Sequence, residues 1–570
     1  MIKFFYIKMK SLYLFLLLLE ISTIFAKTYT TNDLASALSN ASPGDIIELK
    51  AGTYSQVPYR LVSGSSGKPI TIKAVKGATV KFSTGSKTIC IFDFNGVSYA
   101  NIEGPFELVG GLCGVKAMDV TNVKISGLKV HDTQQHGIVI SGEDNEVSNN
   151  EVYNCVMENK DIGITLDYGW SQCVAAWGKN YNSGFSKNIV FKNNYIHEAY
   201  GEGLDFLKCD GCSAISNNIT NGFSMNIYID VSKNIVIDGN ILRVTSENYN
   251  TQWGKACAIG LAAESGGTVI DNILIQNNIA IGTRMAVYFF MGGYNNVKIL
   301  HNTFWYVSVT PVWFKSPTNN PTNCEMRNNF IYYEYQLDFL PKSAWTIGNN
   351  YYYNIENVPS IYSDTVGGSR AAKTLDLTTV FYNKDGNCNY YNYNLDADCL
   401  RPSPYWGDWL KLYQSGTKPK TAVTKDIYGC TRSTSTPSIG AFEYPIGCTG
   451  TIPEDPSDLK VKFKINYCTS NSDVIKMIGD FCSWSVASAS TFTNEGSCNW
   501  VYTYNTPSAT MSYKFVTANG NSVTRWESDP NRTFNYAALK SAVKTSSSGK
   551  YQNCDYVKSG SLVTLTCTWR

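Results

Sequence analysis

The chain reads as all-β in two parts, a parallel β-helix solenoid followed by a small antiparallel β-sandwich. Three observations predict this. An asparagine phrase recurs over the first two thirds: NNEVYN at 149, NNYIHE at 193, NNITNG at 217, GNILRV at 239, NNIAIG at 277, HNTFWY at 301, NNFIYY at 328 and NNYYYN at 349. Short alternating runs such as KNIVIDGN, DNILIQNN and NNVKILHN fill the intervals. After residue 444 the phrase stops, and five longer strand patterns follow a Pro-, Gly- and Asp-rich stretch.

The spacing selects the kind of solenoid. Taking the second asparagine of each phrase (150, 194, 218, 240, 278, 302, 329 and 350), the separations are 44, 24, 22, 38, 24, 27 and 21. Repeats of this length mark a solenoid. No leucines stand at fixed offsets and no helical period is present, so short β-runs broken by Asn and Gly turns predict a parallel β-helix. Asparagine tolerates the left-handed backbone of a corner, and its amide can bond to the next coil. These asparagines, and His301 at the head of one phrase, are therefore expected to be structural.

A chain of 570 residues exceeds one ordinary domain. Lys3, Lys8 and Lys10 precede the apolar run Leu12 to Leu19, so residues 1–26 read as a signal peptide and the remainder as a secreted, extracellular protein. The β-helix is expected over 27–444, a linker over 445–460 and the sandwich over 461–570. Charged residues are 16%, against about 25% in typical domains, while aromatics reach 13% with 38 tyrosines. With a net charge of +2 and no basic stripe, nucleic acid is not an expected partner, nor is a membrane after signal removal. Weakly charged, tyrosine-rich surfaces suit neutral polyols, whose C–H faces pack on aromatic rings. The 17 cysteines fit an oxidising compartment. Cys209 and Cys212 form a lone C-x-x-C, expected as a disulfide or two buried thiols. Sequons stand at Asn40, Asn218 and Asn531.

The N-terminal stretches TNDLASALSNASPGDIIELKAGTYS and GSSGKPITIKAVKGATVKF, with DIYGCTRSTSTPSIGAFEY at 426–444, resemble right-handed pectate-lyase-like β-helix proteins. The resemblance covers about residues 28–444 and implies an N-terminal cap helix. It implies no one activity, because lyases, hydrolases, epimerases and non-catalytic proteins share the fold.

Ionisable residues cluster in NKDIGITLDYGW, NNYIHEAYGEGLDFLKCD, SMNIYIDVSKN and LAAESGG. Aligning GLDFL with NIYID by their following turns points Leu204, Phe206, Ile227 and Ile229 inward, and Asp205, Tyr228 and Asp230 outward. One coil earlier, GITLD is expected to put Asp167 on the same outer face. Asp167, Asp205 and Asp230 then form an acidic patch on successive coils, with His197, Glu198, Glu202, Lys208, Tyr200 and Trp170 at its edge. The stretch 171–186 shows no strand pattern and is expected to wall the cleft. Gly260 and Ala262, on the coil of Glu264, are expected to leave room for a chain. Paired carboxylates serve a glycoside hydrolase. A lyase would instead place calcium, the one cofactor suggested, among the carboxylates and use Lys208 as base. No supporting Arg stands near the patch, so hydrolysis is preferred to the lyase. A non-catalytic adhesion protein is the third reading.

The last segment carries VKFKINY, IGDFCSW, YKF followed by WESDPNR, and a terminal TWR. It resembles starch-binding domains, carbohydrate-binding module family 20. In that family two tryptophans clamp an α-glucan with help from a lysine, an asparagine and a glutamate. The resemblance implies those roles for Trp484, Trp526, Lys514, Asn531 and Glu527, with starch or a related α-glucan as the partner and a second polysaccharide left to the β-helix. Trp500 ranks lower, and Phe481 is an alternative platform because the turn before Trp484 is short. A Cys482–Cys498 bridge is expected, with Cys554 joined to Cys468 or Cys567. Asn531, in the sequon NRT, is expected to be unmodified.

Overall fold

The computed structural model describes residues 26–30, 32–161, 171–244, 257–264, 269–307, 310–315, 318–333, 345–353, 416–443, 460–469, 472–504, 510–528, 530–535, 538–539, 548–552, 554–559 and 562–569. The signal peptide but for Ala26, and the linker but for Lys460, lie outside them. The chain divides into two compact units, one holding every strand of the solenoid and the other the strands from Lys460 onward.

In the first unit, each coil contributes one strand to each of three parallel faces. The face that matters for function runs through Ile138–Glu143, Gln172–Trp177, Glu202–Leu207, Met225–Asp230, Cys257–Ala262, Met285–Met291 and Thr310–Phe314. Alternation decides which side chains turn inward. Leu204, Ile227, Ile259, Val287 and Val312 stack in register, as do Phe206, Ile229, Leu261, Phe289 and Phe314. All belong to or pack against one continuous core. Burying each such side chain contributes about 1.5–3 kcal/mol, so the stack itself stabilises the coil. The expected cap helix is present as Leu34–Ser39, with Leu34, Ala37 and Leu38 buried over the first coils.

The asparagines form an internal ladder at one corner. Asn150, Asn194, Asn217, Asn240, Asn278, Asn302, Asn329 and Asn350 are all buried. Each from Asn194 onward accepts, on Oδ1, the backbone N–H and side-chain amide of the asparagine one coil before, at 2.8–3.1 Å, and Asn150 accepts the Leu128 N–H at 2.9 Å. The residue before each rung is left-handed: Asn149, Asn193, Ser216, Gly239, Asn277, His301, Asn328 and Asn349. One position differs from the expected phrase. The rung of NNITNG is Asn217 rather than Asn218, because Ser216 takes the left-handed place that asparagine fills in most other coils. His301 is structural as expected, buried between Ser438 O and Asn328.

The segment 416–443 lies along this corner. Arg432 reaches Asn277 at 2.8 Å and forms a fully buried ion pair with Glu443 at 3.1 Å. Disulfides join Cys90 to Cys113 and Cys155 to Cys173. Cys209 and Cys212 are two buried thiols.

The second unit is a sandwich. One sheet holds, in order, Thr493–Asn494, Asn499–Tyr504, Lys460–Asn466, Leu562–Thr568, Cys554–Ser559 and Ser548–Tyr551. The other holds Ser490–Thr491, Val474–Gly479, Thr510–Asn519 and Ser522–Trp526, with Arg532–Asn535 also pairing Thr510–Asn519. Val461, Phe463, Ile475, Met477, Phe515, Val563 and Leu565 fill the space between. The pairs are antiparallel except for Lys460–Asn466 beside Leu562–Thr568, which run parallel. The expected Cys482–Cys498 bridge is replaced by Cys468–Cys498, because Asn466 and Asn499 are opposed in register and bring those two cysteines together. Cys554 pairs with Cys567, its direct cross-strand neighbour. Cys482 is a free thiol on a turn of the other sheet.

Candidate functional site

On the outer side of the first face, one row of side chains runs Val139, Ala175, Asp205, Tyr228, Gly260, Tyr288 and Trp313. The next outward row passes through Trp177, Leu207, Asp230 and Ala262. Asp205 and Asp230 are therefore on neighbouring strands, offset by two residues and about 8 Å apart at Cα by ordinary strand spacing. The alignment of GLDFL with NIYID holds residue for residue.

The coil before Asp205 differs from the expectation. It is Gln172–Trp177, in the stretch expected to be irregular; Ala175 stands beside Asp205, and Trp177 occupies the place assigned to Asp167 in the row of Leu207 and Asp230. The alternating small residues of QCVAAW hid this strand. Asp167 and Trp170 lie outside the described residues. His197 and Glu198 belong to a different face. His197 stacks between Tyr153 and Tyr195 there and is bonded to Glu198. The room expected at Gly260 is filled by the Met225 side chain, which would collide with any Cβ at that position.

The carboxylates that do converge have unequal proton affinities. Asp205 is 2% exposed, and its Oδ1 has no hydrogen-bond partner. Burial first, then the charges of Glu202, Asp230 and Glu264, holds its carboxyl well above the usual range. Asp230 is 8% exposed, and burial with the Glu264 charge pushes it up to about 6. The Glu264 N–H, donating to Asp230 Oδ1 at 3.0 Å, and the Lys208 ammonium act in the other direction. Glu202 is buried and accepts from Gln172 Nε2 at 3.3 Å. The Tyr228 hydroxyl donates to Glu264 at 2.5 Å. Lys208 donates to Asn182 O at 2.6 Å. One carboxyl that keeps its proton beside one that ionises near 6 is the arrangement general acid–base chemistry requires. Glu264 and Tyr228, visible in the sequence only as unassigned polar residues, complete the cluster. Among the described residues no group of three or more His, Cys, Asp or Glu is placed to hold a metal ion, so calcium has no preformed cage among them.

In the sandwich, Trp526 ends an edge strand opposite Val516 and is 51% exposed. Lys514 lies two residues before Val516 on the neighbouring strand, opposite Ile478 and largely buried. The turn leaving Gly479 delivers Trp484, 37% exposed, in left-handed conformation, its N–H donating to Gly479 O at 2.8 Å. Phe481 on that turn is half-buried against the core. Asn531 is exposed. Trp500 is buried and donates to Tyr467 O, a packing role.

Glu527 differs from its neighbours. It is 2% exposed, and its carboxylate receives Arg532 Nε at 2.9 and 3.1 Å, the Arg532 terminal nitrogen, and the Phe515 N–H at 3.2 Å. Arg532 also donates to Thr568 O at 2.6 Å. This buried pair closes the loop that carries Trp526 at one end and Asn531 at the other. The Glu–Arg spacing within WESDPNR was the signal for it.

Residues 458–546 match the family model described as starch binding domain, and residues 113–304 match that described as right handed beta helix region. The first match lies over the sandwich and the second over the middle of the solenoid. No curated protein matches the chain. Among solved structures, pectate lyase Pel9A is 17% identical, with a TM-score of 0.44, over 74% of this chain and 98% of that one. An alginate lyase from Paenibacillus sp. str. FPU-7 is 20% identical, with a TM-score of 0.38, over 52% and 98%. The polygalacturonase from Erwinia carotovora ssp. carotovora is 11% identical, with a TM-score of 0.39, over 59% and 98%.

Proposed function

We propose that the chain is a secreted carbohydrate-active protein whose sandwich binds starch or a related α-glucan and whose β-helix hydrolyses a polysaccharide. The observation that carries the first half is the family match over the sandwich, joined to the exposure of Trp484 and Trp526 while Trp500 is buried. Trp484 and Trp526 supply apolar platforms, Lys514 and Asn531 supply polar direction, and Glu527 holds Arg532 so that the Trp526 loop keeps its shape.

The observation that carries the second half is the unequal pair of carboxyls. In this reading Asp205 gives its proton to the leaving glycosidic oxygen as the C–O bond breaks. Asp230 takes a proton from the water that attacks the anomeric carbon. Burial, then the charges of Glu202, Asp230 and Glu264, favours protonated Asp205, and Lys208 favours ionised Asp230. Anchoring on starch raises the local concentration of substrate without altering this site. The Lys208 ammonium beside Asp230 supports a second reading, a calcium-dependent lyase with Lys208 as base.

The test is turnover by the full chain on amylose, xylan, polygalacturonate and alginate, with calcium or chelator. New reducing ends and ultraviolet absorbance of unsaturated uronides are followed together. Reducing ends without that absorbance are expected. Calcium-dependent absorbance would select the lyase, and silence from a chain that still binds starch would select a binding protein.

A further inference from the structure

Beyond Trp177 the chain makes a tight turn in which Asn180, Tyr181 and Asn182 hold φ of 50°, 52° and 65°. Left-handed backbone is tolerated by asparagine, but in a tyrosine it crowds Cβ against the following carbonyl. The solenoid's corners give this conformation mostly to Asn, Asp and Gly. Tyr181 is also 74% exposed, so no burial offsets the strain.

The turn is held by contacts on all sides. Asn180 N–H donates to Asp119 Oδ1 at 2.8 Å, and Gly178 N–H donates to Asn182 Oδ1 at 2.7 Å. Lys179 pairs with Glu143 at 3.0 Å, and Lys208 donates to Asn182 O at 2.6 Å. Strain maintained in this way is found at ligand clamps. The position fits that use. Trp177, which leads into the turn, lies two strands from Asp230 along one outward row, about 10 Å by strand spacing. Lys208 joins the turn to the carboxyl cluster, since the same ammonium acts on Asp230.

Resting on the hydrolytic reading of that cluster, we propose that Tyr181 is a sugar-stacking residue of the β-helix site and that the unit it carries is neutral. An aromatic face packs on the C–H face of a neutral sugar. A uronate there would bring its charge toward Glu202, Asp230 and Glu264, with Lys208 already engaged by Asn182.

The test compares Tyr181→Gly, Tyr181→Phe and Asp205→Asn in the full chain, on the polymer that wild type degrades. Tyr181→Gly is expected to raise KM roughly tenfold with kcat within about twofold, from loss of one stacking contact. Its Tm should stay level or rise, because glycine relieves the left-handed strain. Tyr181→Phe keeps the ring and should keep the wild-type KM. An unchanged KM in Tyr181→Gly overturns the inference, as does a raised KM accompanied by a lowered Tm. A preferred polymer that is a uronate overturns the neutral assignment. Full turnover by Asp205→Asn would sink the hydrolytic reading separately, whatever Tyr181 does. If wild type degrades nothing, binding of maltoheptaose, xylohexaose and trigalacturonate to the Trp484→Ala, Trp526→Ala double variant is compared with and without Tyr181→Gly. Neutral-sugar binding lost with Tyr181→Gly supports the inference, and binding that is unaffected or absent overturns it.

Discussion

Replacing Asp230 by asparagine should stabilise the β-helix while removing its activity. In the folded chain the Asp230 carboxyl ionises at about 6 rather than 3.8. The folded state therefore binds this proton more tightly than the unfolded state, and the contribution to stability falls as pH rises from about 4 to about 6. At 1.36 kcal/mol per tenfold difference, the displacement corresponds to a penalty of about 3 kcal/mol at pH 7 and about 0.5 kcal/mol at pH 4. Asparagine keeps an oxygen for the Glu264 N–H, and its new donor faces an acceptor-rich cluster. Asp230→Asn should thus gain about 1–3 kcal/mol at pH 7, and the gain should vanish at pH 4. Urea unfolding of the full chain at the two pH values, followed on the β-helix transition, measures it. A variant less stable than wild type at pH 7, or a gain equal at both values, would refute the assigned environment of Asp230.

Other outcomes follow from the same geometry. The pH–rate profile should lose activity on its acid limb near 6, where Asp230 takes up its proton, and Asp205→Asn should lower kcat by roughly 10²–10⁴ with little change in starch binding. Trp526→Ala should weaken maltoheptaose binding by about tenfold or more in calorimetry while leaving the melting of both units intact. Glu527→Gln should instead destabilise the sandwich by about 3–5 kcal/mol, because Arg532 is left buried without its counter-charge. Asn217→Leu should cost about 2–4 kcal/mol of β-helix stability, because Asn194 loses the acceptor for two donors and Phe191 O loses its own donor.

Repetition made the solenoid legible. A corner that must be left-handed and must also return a buried amide to the next coil admits few residues, so asparagine recurs and the period can be counted. The same constraint explains the one slip, at NNITNG. Either asparagine could be the rung on composition, and only the left-handed Ser216 decides for Asn217. The strand register that brings Asp205 next to Tyr228 was legible too, since inward Leu and Ile alternate without a break. Gln172–Trp177 was not, because Ala175 and Ala176 satisfy a strand without showing a polar–apolar contrast. The role of Glu527 was half legible: its neighbourhood was evident, but whether a carboxylate turns outward to sugar or inward to Arg532 depends on how a five-residue loop closes.

The two units share one device and differ in another. In the sandwich, a buried and fully bonded Glu527–Arg532 pair holds the loop of Trp526, whose ring stands in solvent, while Trp484 is exposed on a left-handed turn residue. In the β-helix, several individually costly features gather on the face of the carboxyl cluster. An acid is buried with an unpartnered oxygen at Asp205, a carboxyl is held from ionising until about 6 at Asp230, and a tyrosine is left-handed and exposed at Tyr181. Uniform coils with a shared asparagine ladder supply stability that is independent of that one stretch of surface. Such a scaffold can carry several destabilising residues together, provided they lie on neighbouring strands and point away from the common core. On this reasoning the stabilising substitutions of the β-helix should concentrate between Trp177 and Glu264 on the outer face. A scan that found them scattered evenly along the solenoid would detach these irregularities from function.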